Sequence, residues 1–93
     1  MIEEFAGLEA QANFEQWARE HRDGFFINKK RSPPTLCLHG TSCKHVFRPD
    51  GTLWPRSTVN AKLCSLDRHE LERWARDRGM ALPECKDCFP PKY

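Results

Sequence analysis

No stretch of the 93 residues approaches the roughly 18 to 20 consecutive apolar residues that cross a bilayer, which excludes a transmembrane helix from the sequence reading. The start, Met1-Ile-Glu-Glu, lacks the basic-then-apolar order of a secretory signal, so the expectation is a cytoplasmic protein. There is no Gly-rich phosphate loop, no H-E-x-x-H and no H-x-E. Those are spacings by which a chain cradles a nucleoside triphosphate or mounts a zinc-bound water beside its general base. Length is short as well: residues 1–93 admit one small domain, with 1–12 as a loosely held beginning and 89–93 as a tail. A domain of this size buries only about 60 to 65% of its unfolded surface, so a cross-link would help a marginal core.

Cysteine is the available cross-linker. There are five (Cys37, Cys43, Cys64, Cys85 and Cys88), an odd number in a chain without an export signal, which favours a metal site over a disulfide framework. The net charge of +2 is unevenly spread. Residues 1–20 hold five Glu against one Arg, residues 21–66 hold eight Lys or Arg against two Asp, and residues 67–93 balance. The middle of the chain is therefore the candidate anion-facing surface, unless these are ordinary solvated side chains.

Periodicity predicts an α+β fold: a small zinc-stabilised domain with a three-stranded antiparallel sheet, made of a β-hairpin plus one strand, and two helices. Asn13 to Gln16 reads as a capping box, with Phe14, Trp17 and Ala18 on one helical face and Gly24 as the stop. The runs Gly24 to Lys30 and Thr35 to His39 read as two strands of a hairpin joined by the basic loop ending Arg31-Ser-Pro-Pro. Alternation puts Leu36 and Leu38 on one face and Cys37 and His39 on the other. Residues 44–58 read as irregular loop with Trp54 as an anchor. A third strand would then point Val59, Ala61 and Leu63 inward and Asn60, Lys62 and Cys64 outward. The second helix begins at Asp67 with Glu70 at N3 and a Leu66–Leu71 staple, buries Leu71, Trp74 and Ala75, and stops at Gly79.

Structural zinc takes four Cys or His ligands, commonly as two closely spaced pairs. His39-x-x-x-Cys43 ends the predicted second strand, where Gly40 would permit a tight turn, and Cys85-x-x-Cys88 follows the second helix. The expected metal ligands are His39, Cys43, Cys85 and Cys88; an all-cysteine set of Cys43, Cys64, Cys85 and Cys88 is the alternative. Cys37 reads as a small buried hydrophobe, and His21, His45 and His69 as ordinary histidines. Thiolates with imidazole suit Zn2+, though iron and cobalt accept them too. Four ligands leave no open position for water, so no enzyme is expected.

The order strand, H-x-x-x-C, strand, helix, C-x-x-C resembles the metal-binding module at the N-terminus of Ada DNA-repair proteins and its small treble-clef-like relatives. The segment from Trp74 through Gly79 and Pro83 to Cys85-Lys-Asp-Cys88-Phe-Pro90 carries that likeness. Residues 14–90 also resemble uncharacterised bacterial modules through Trp17, His21-Arg-Asp-Gly-Phe25, Asn28, Leu38-His39, Cys43, Lys62-Leu-Cys64-Ser65 and the Cys85–Cys88 pair. The resemblance implies a zinc-finger-like fold in a DNA-associated lineage. His39 stands where Ada proteins have the cysteine that accepts the methyl group, and an imidazole cannot serve as that thiolate.

Two functions follow. The first is a non-catalytic zinc module that binds DNA through Lys29, Lys30 and Arg31 of the hairpin and Lys44, Arg48, Arg56 and Lys62 of the loop. The second is a small protein-interaction module or inhibitor of a larger nucleic-acid enzyme, using the acidic first 20 residues.

Overall fold

The computed structural model describes residues 2–7, 9–31, 34–44, 47–50, 61–86 and 88. Its elements are β1 (Glu3–Phe5), α1 (Ala10–Glu20), β2 (Phe25–Arg31), β3 (Pro34–Gly40), β4 (Ala61–Ser65) and α2 (Arg68–Asp77). The sheet is antiparallel with order β1-β4-β2-β3, so it has four strands where periodicity predicts three. The extra strand is β1, whose Glu4 lies opposite Leu63. Three residues, two of them glutamates, carry almost no local β signal. Their place comes from β4 offering an open edge. Trp54, Arg56, Val59, Asn60, His45 and the Pro90-Pro91 tail lie outside the described residues.

Both faces of the sheet are covered. On one, Ile27, Leu36, Leu38 and Leu63 pack with Leu71 and Ala75 of α2. On the other, Phe26 and Cys64 pack with Phe14, Trp17 and Ala18 of α1. Phe14 is the hub of this second face. Its ring meets Phe26 edge-on at 4.8 Å and lies 5.6 Å from Phe47. The alternation expected for β3 holds, but β4's outward residues are not outward: Lys62 and Cys64 are 3% and 0% exposed because α1 covers them.

The helix ends divide the local signals into those that survive and those that do not. Asp67 caps α2, its carboxylate accepting the His69 N–H at 2.9 Å. Glu70 completes the cap through a relay: Ser65 Oγ donates to Glu70 at 2.7 Å and accepts the Asp67 N–H at 3.0 Å. Leu66 is 58% exposed, so it does not staple onto Leu71. At the other end Gly79, at φ +67°, closes a Schellman turn in which Met80 N–H reaches Ala75 O and Gly79 N–H reaches Arg76 O. In contrast, α1 begins three residues before Asn13, at Ala10, with Glu9 making no side-chain cap. Burial of Ala10 draws that extra turn onto the core. Gly24 does not end α1, which is capped at His21; it is glycine because a Cβ there would sit 2.8 Å from the Trp17 ring.

Candidate metal centre

His39 is the last but one residue of β3, on the α1 face, and its ring stacks on Phe26 with centroids 5.0 Å apart. Cys43 follows in a turn closed by its own N–H to Gly40 O at 3.2 Å. Thr41 anchors that turn to the end of α1, with Oγ1 donating to His21 O at 2.6 Å and N–H to Gly24 O at 3.1 Å. Gly40 is not what permits the turn. Its φ is not positive, and among the described residues a Cβ there meets no atom within 4 Å.

The C-x-x-C arrives by a different route. After the Schellman turn, Met80 and Leu82 pack against the α2 core. The chain then runs along the free edge of β3: Leu38 N–H donates to Pro83 O and Cys85 N–H to Leu38 O, both at 2.9 Å. This is a parallel bridge of Leu38 with Glu84, and Arg68 of α2 holds Glu84 by an ion pair at 3.0 Å. The bridge covers an otherwise open sheet edge. It also sets Cys85 beside the strand that carries His39.

The result is a cluster. One nitrogen of His39 and the sulfurs of Cys43, Cys85 and Cys88 all lie within 4.8 Å of one another. Cys43 and Cys85 sulfurs are 3.8 Å apart, and Cys88 Sγ is 3.8 Å from His39 Nδ1. Tetrahedral zinc with bonds of about 2.3 Å to sulfur and about 2.0 Å to nitrogen requires ligand separations of roughly 3.5 to 3.8 Å. The donors fit a single ion of that size. His39 and Cys43 are buried, while Cys85 and Cys88 are half-buried.

Burial pushes the Cys88 thiol well above its usual range, and the neighbouring Cys43 and Cys85 thiols add to this; the Gly40 backbone N–H, which stabilises the thiolate, works the other way. Three thiols this close cannot ionise together without a counter-charge. A divalent cation bound there would supply it, since metal coordination deprotonates a thiol outright.

The other sequence candidates separate from this centre. Cys64 is wholly buried in the aromatic core, its thiol also raised by burial, and among the described residues it belongs to no ligand cluster. Cys37 is half-buried on the same face of β3 as His39, and burial raises its thiol. His21 hydrogen-bonds Trp17 O at 2.8 Å and stacks on the Trp17 ring, while His69 is an exposed partner of Glu72.

The basic candidates scatter. Lys29, Lys30 and Arg31 all lie within β2, which pairs as far as Arg31 with Pro34, so Arg31 is strand rather than loop. Lys29 is on the α2 side, 3.8 Å from Glu4 and 5.8 Å over the Trp74 ring. Lys30, the next residue, is exposed on the opposite side. Lys44 and Arg48 are exposed after Cys43. Lys62 is corrected outright: its ammonium is buried, donating to Asn28 Oδ1 at 2.8 Å and lying 5.9 Å from the Phe14 ring centre, where no phosphate reaches it. Sequence reasoning missed the edge bridge at residues 83–85, for which Leu82-Pro83 offers no local signal. No described helix is long and apolar enough to cross a membrane. Comparison with protein-family models, with curated proteins and with solved structures gives no match.

Proposed function

We propose that the chain is a non-catalytic zinc module of the Ada-like, treble-clef-like kind that binds nucleic acid. The observation that carries the zinc reading is the convergence of His39, Cys43, Cys85 and Cys88 from segments 41 residues apart in sequence onto one ion-sized point. Three thiolates and an imidazole suit Zn2+, and four protein donors fill its tetrahedron. A closed sphere holds the fold together and offers no site for an activated water. Nucleic acid as the partner is supported by the excess of cations over residues 21–66, of which Lys30, Lys44 and Arg48 are exposed.

Elemental analysis of purified protein is expected to return one zinc per chain, with four of the five cysteines, the three in the cluster and the buried Cys64, protected from thiol reagents until a chelator is added. A folded, metal-free chain with freely reactive Cys85 and Cys88 would sink the zinc reading. Affinity for an oligonucleotide is expected to fall steeply between about 50 and 200 mM salt, because counterions are released when phosphates are neutralised. No measurable affinity for an oligonucleotide at about 50 mM salt would overturn the nucleic-acid reading and favour a protein partner instead.

A further inference from the structure

Between the C-terminal end of α1 and the segment that follows Cys43 lies a cleft of about 630 Å³. The helix contributes Arg19 and the residues just beyond its end contribute Arg22; the turn and loop contribute Thr41, Ser42, Lys44 and Arg48. Ala18, Phe47 and Pro49 supply apolar wall, and Asp50 is the one acid among the described lining residues. Arg19 and Arg22 are exposed, and among the described residues neither has an ion-pair partner.

The charge balance decides what such a cleft attracts. Four cations stand against Asp50 and the partial negative charge, about half an elementary charge, at the C-terminal end of α1. The surplus is about two and a half positive charges. Guanidinium groups present paired donors matched to phosphate oxygens, and two of them lining one wall can grip one phosphate from both sides. Volume narrows the ligand further. Small-molecule sites span about 300 to 1,000 Å³, so this cleft is larger than a bare phosphate needs and has apolar surface on which a sugar or base can rest. Thr41, Ser42 and Lys44 flank Cys43, so the wall of the cleft is built on the turn that carries a metal ligand.

We infer that this cleft is a phosphate-binding site for a nucleotide unit, with the phosphate held by Arg19, Arg22, Lys44 and Arg48. The unit is either part of a single strand or a free nucleotide. The first source rests on the nucleic-acid reading above; the second does not.

The test uses the full zinc-loaded chain and a fluorescein-labelled eight-nucleotide oligothymidylate, read by anisotropy, with adenosine monophosphate and inorganic phosphate as competitors, and titrates adenosine monophosphate directly by calorimetry. R19A/R22A is expected to weaken binding at least tenfold. It should also make the dependence of log affinity on log salt shallower by up to about 0.7, which is one lost phosphate contact on a single strand. K44A/R48A removes the other two cations and is expected to weaken binding as much, so the result does not hang on one helix. R73A/R76A, two exposed cations of α2, is expected to stay within twofold of the parent. Adenosine monophosphate is expected to compete more strongly than phosphate at equal ionic strength.

The outcomes separate the two readings. Oligonucleotide binding that both cleft pairs leave intact, while K29A/K30A destroys it, overturns the cleft and leaves the nucleic-acid reading standing. Adenosine monophosphate bound in a cleft-dependent way, with no oligonucleotide binding, supports the cleft with a free nucleotide and overturns the nucleic-acid reading. Binding of neither overturns both.

Discussion

Lys62 carries its ammonium into the space between β4 and α1, and burial lowers its pKa from 10.5 to about 8. Below pH 8 the group is charged in folded and unfolded chain alike, and the fold bears the whole cost of burying it. Between pH 8 and 10.5 the unfolded chain keeps the proton while the folded one releases it, so stability rises with pH across that window, by about 3 kcal/mol in all. Urea unfolding of the zinc-loaded protein from pH 7.5 to 10.5 is expected to show this rise, and K62M to lack it; identical slopes would contradict the burial of the ammonium. Period two correctly set Lys62 opposite Leu63, but which face meets solvent is decided by what covers it. Two glycines make the same point. G24A drives a methyl into Trp17 and is expected to cost about 1 to 3 kcal/mol, several degrees of melting temperature in a chain this small. G40A, whose methyl meets no atom of the described residues at a non-positive φ, is expected to melt with the parent.

Among the elements, α2 was the most legible because its ends are written in short-range chemistry. Asp67 bonds an N–H two residues on, and Gly79 takes the left-handed conformation that a Cβ disfavours, so both signals act within one turn. D67A is expected to cost about 1 kcal/mol and G79A about 1 to 2 kcal/mol, measured by equilibrium unfolding, with both variants retaining metal. Cost at neither position would mean that packing of Leu71 and Ala75 alone sets the helix. The start of α1 misled because no side chain caps it. Asn13 looks like a cap and is an ordinary helical residue, since burying Ala10 outweighs the local preference. The hairpin was legible as two strands but not as a loop boundary. Pairing continues to Arg31 and Pro34, which turns Arg31 from a loop cation into a strand residue, and the strand sends Lys29 and Lys30 to opposite faces.

At the scale of the molecule, α1 with Trp17 and α2 with Trp74 cover opposite faces of one sheet. The cluster of His39, Cys43, Cys85 and Cys88 joins the α1 face to the segment leaving α2, and an ion held there would tie the two together. Structural zinc in small domains contributes roughly 10 to 16 kcal/mol of apparent binding energy, against a total stability of about 5 to 15 kcal/mol for a domain. Chelation at neutral pH is therefore expected to unfold the chain, with loss of near-ultraviolet circular dichroism and exposure of the buried Trp17, reversed by one equivalent of zinc. C88S is expected to behave as the chelated protein does. An unchanged melting temperature after complete metal removal would show that the two cores suffice without the ion.

The sequence by itself determined what is local: the β3 alternation that segregates Leu38 from His39, the ends of α2, and the two ligand pairs, whose x-x-x and x-x spacings are written in adjacent residues. Only the tertiary structure decided how those pairs meet. Cys85 reaches His39 because residues 83–85 add to the edge of β3 and Arg68 holds Glu84, contacts between segments more than a dozen residues apart that no local pattern encodes. The same holds for charge. Counting cations along the chain finds a basic middle, but folding buries Lys62, ties Lys29 to Glu4 and Trp74, and gathers Arg19 and Arg22, at the end of the otherwise acidic first helix, beside Lys44 and Arg48, because a surface is made of neighbours in space and not in sequence.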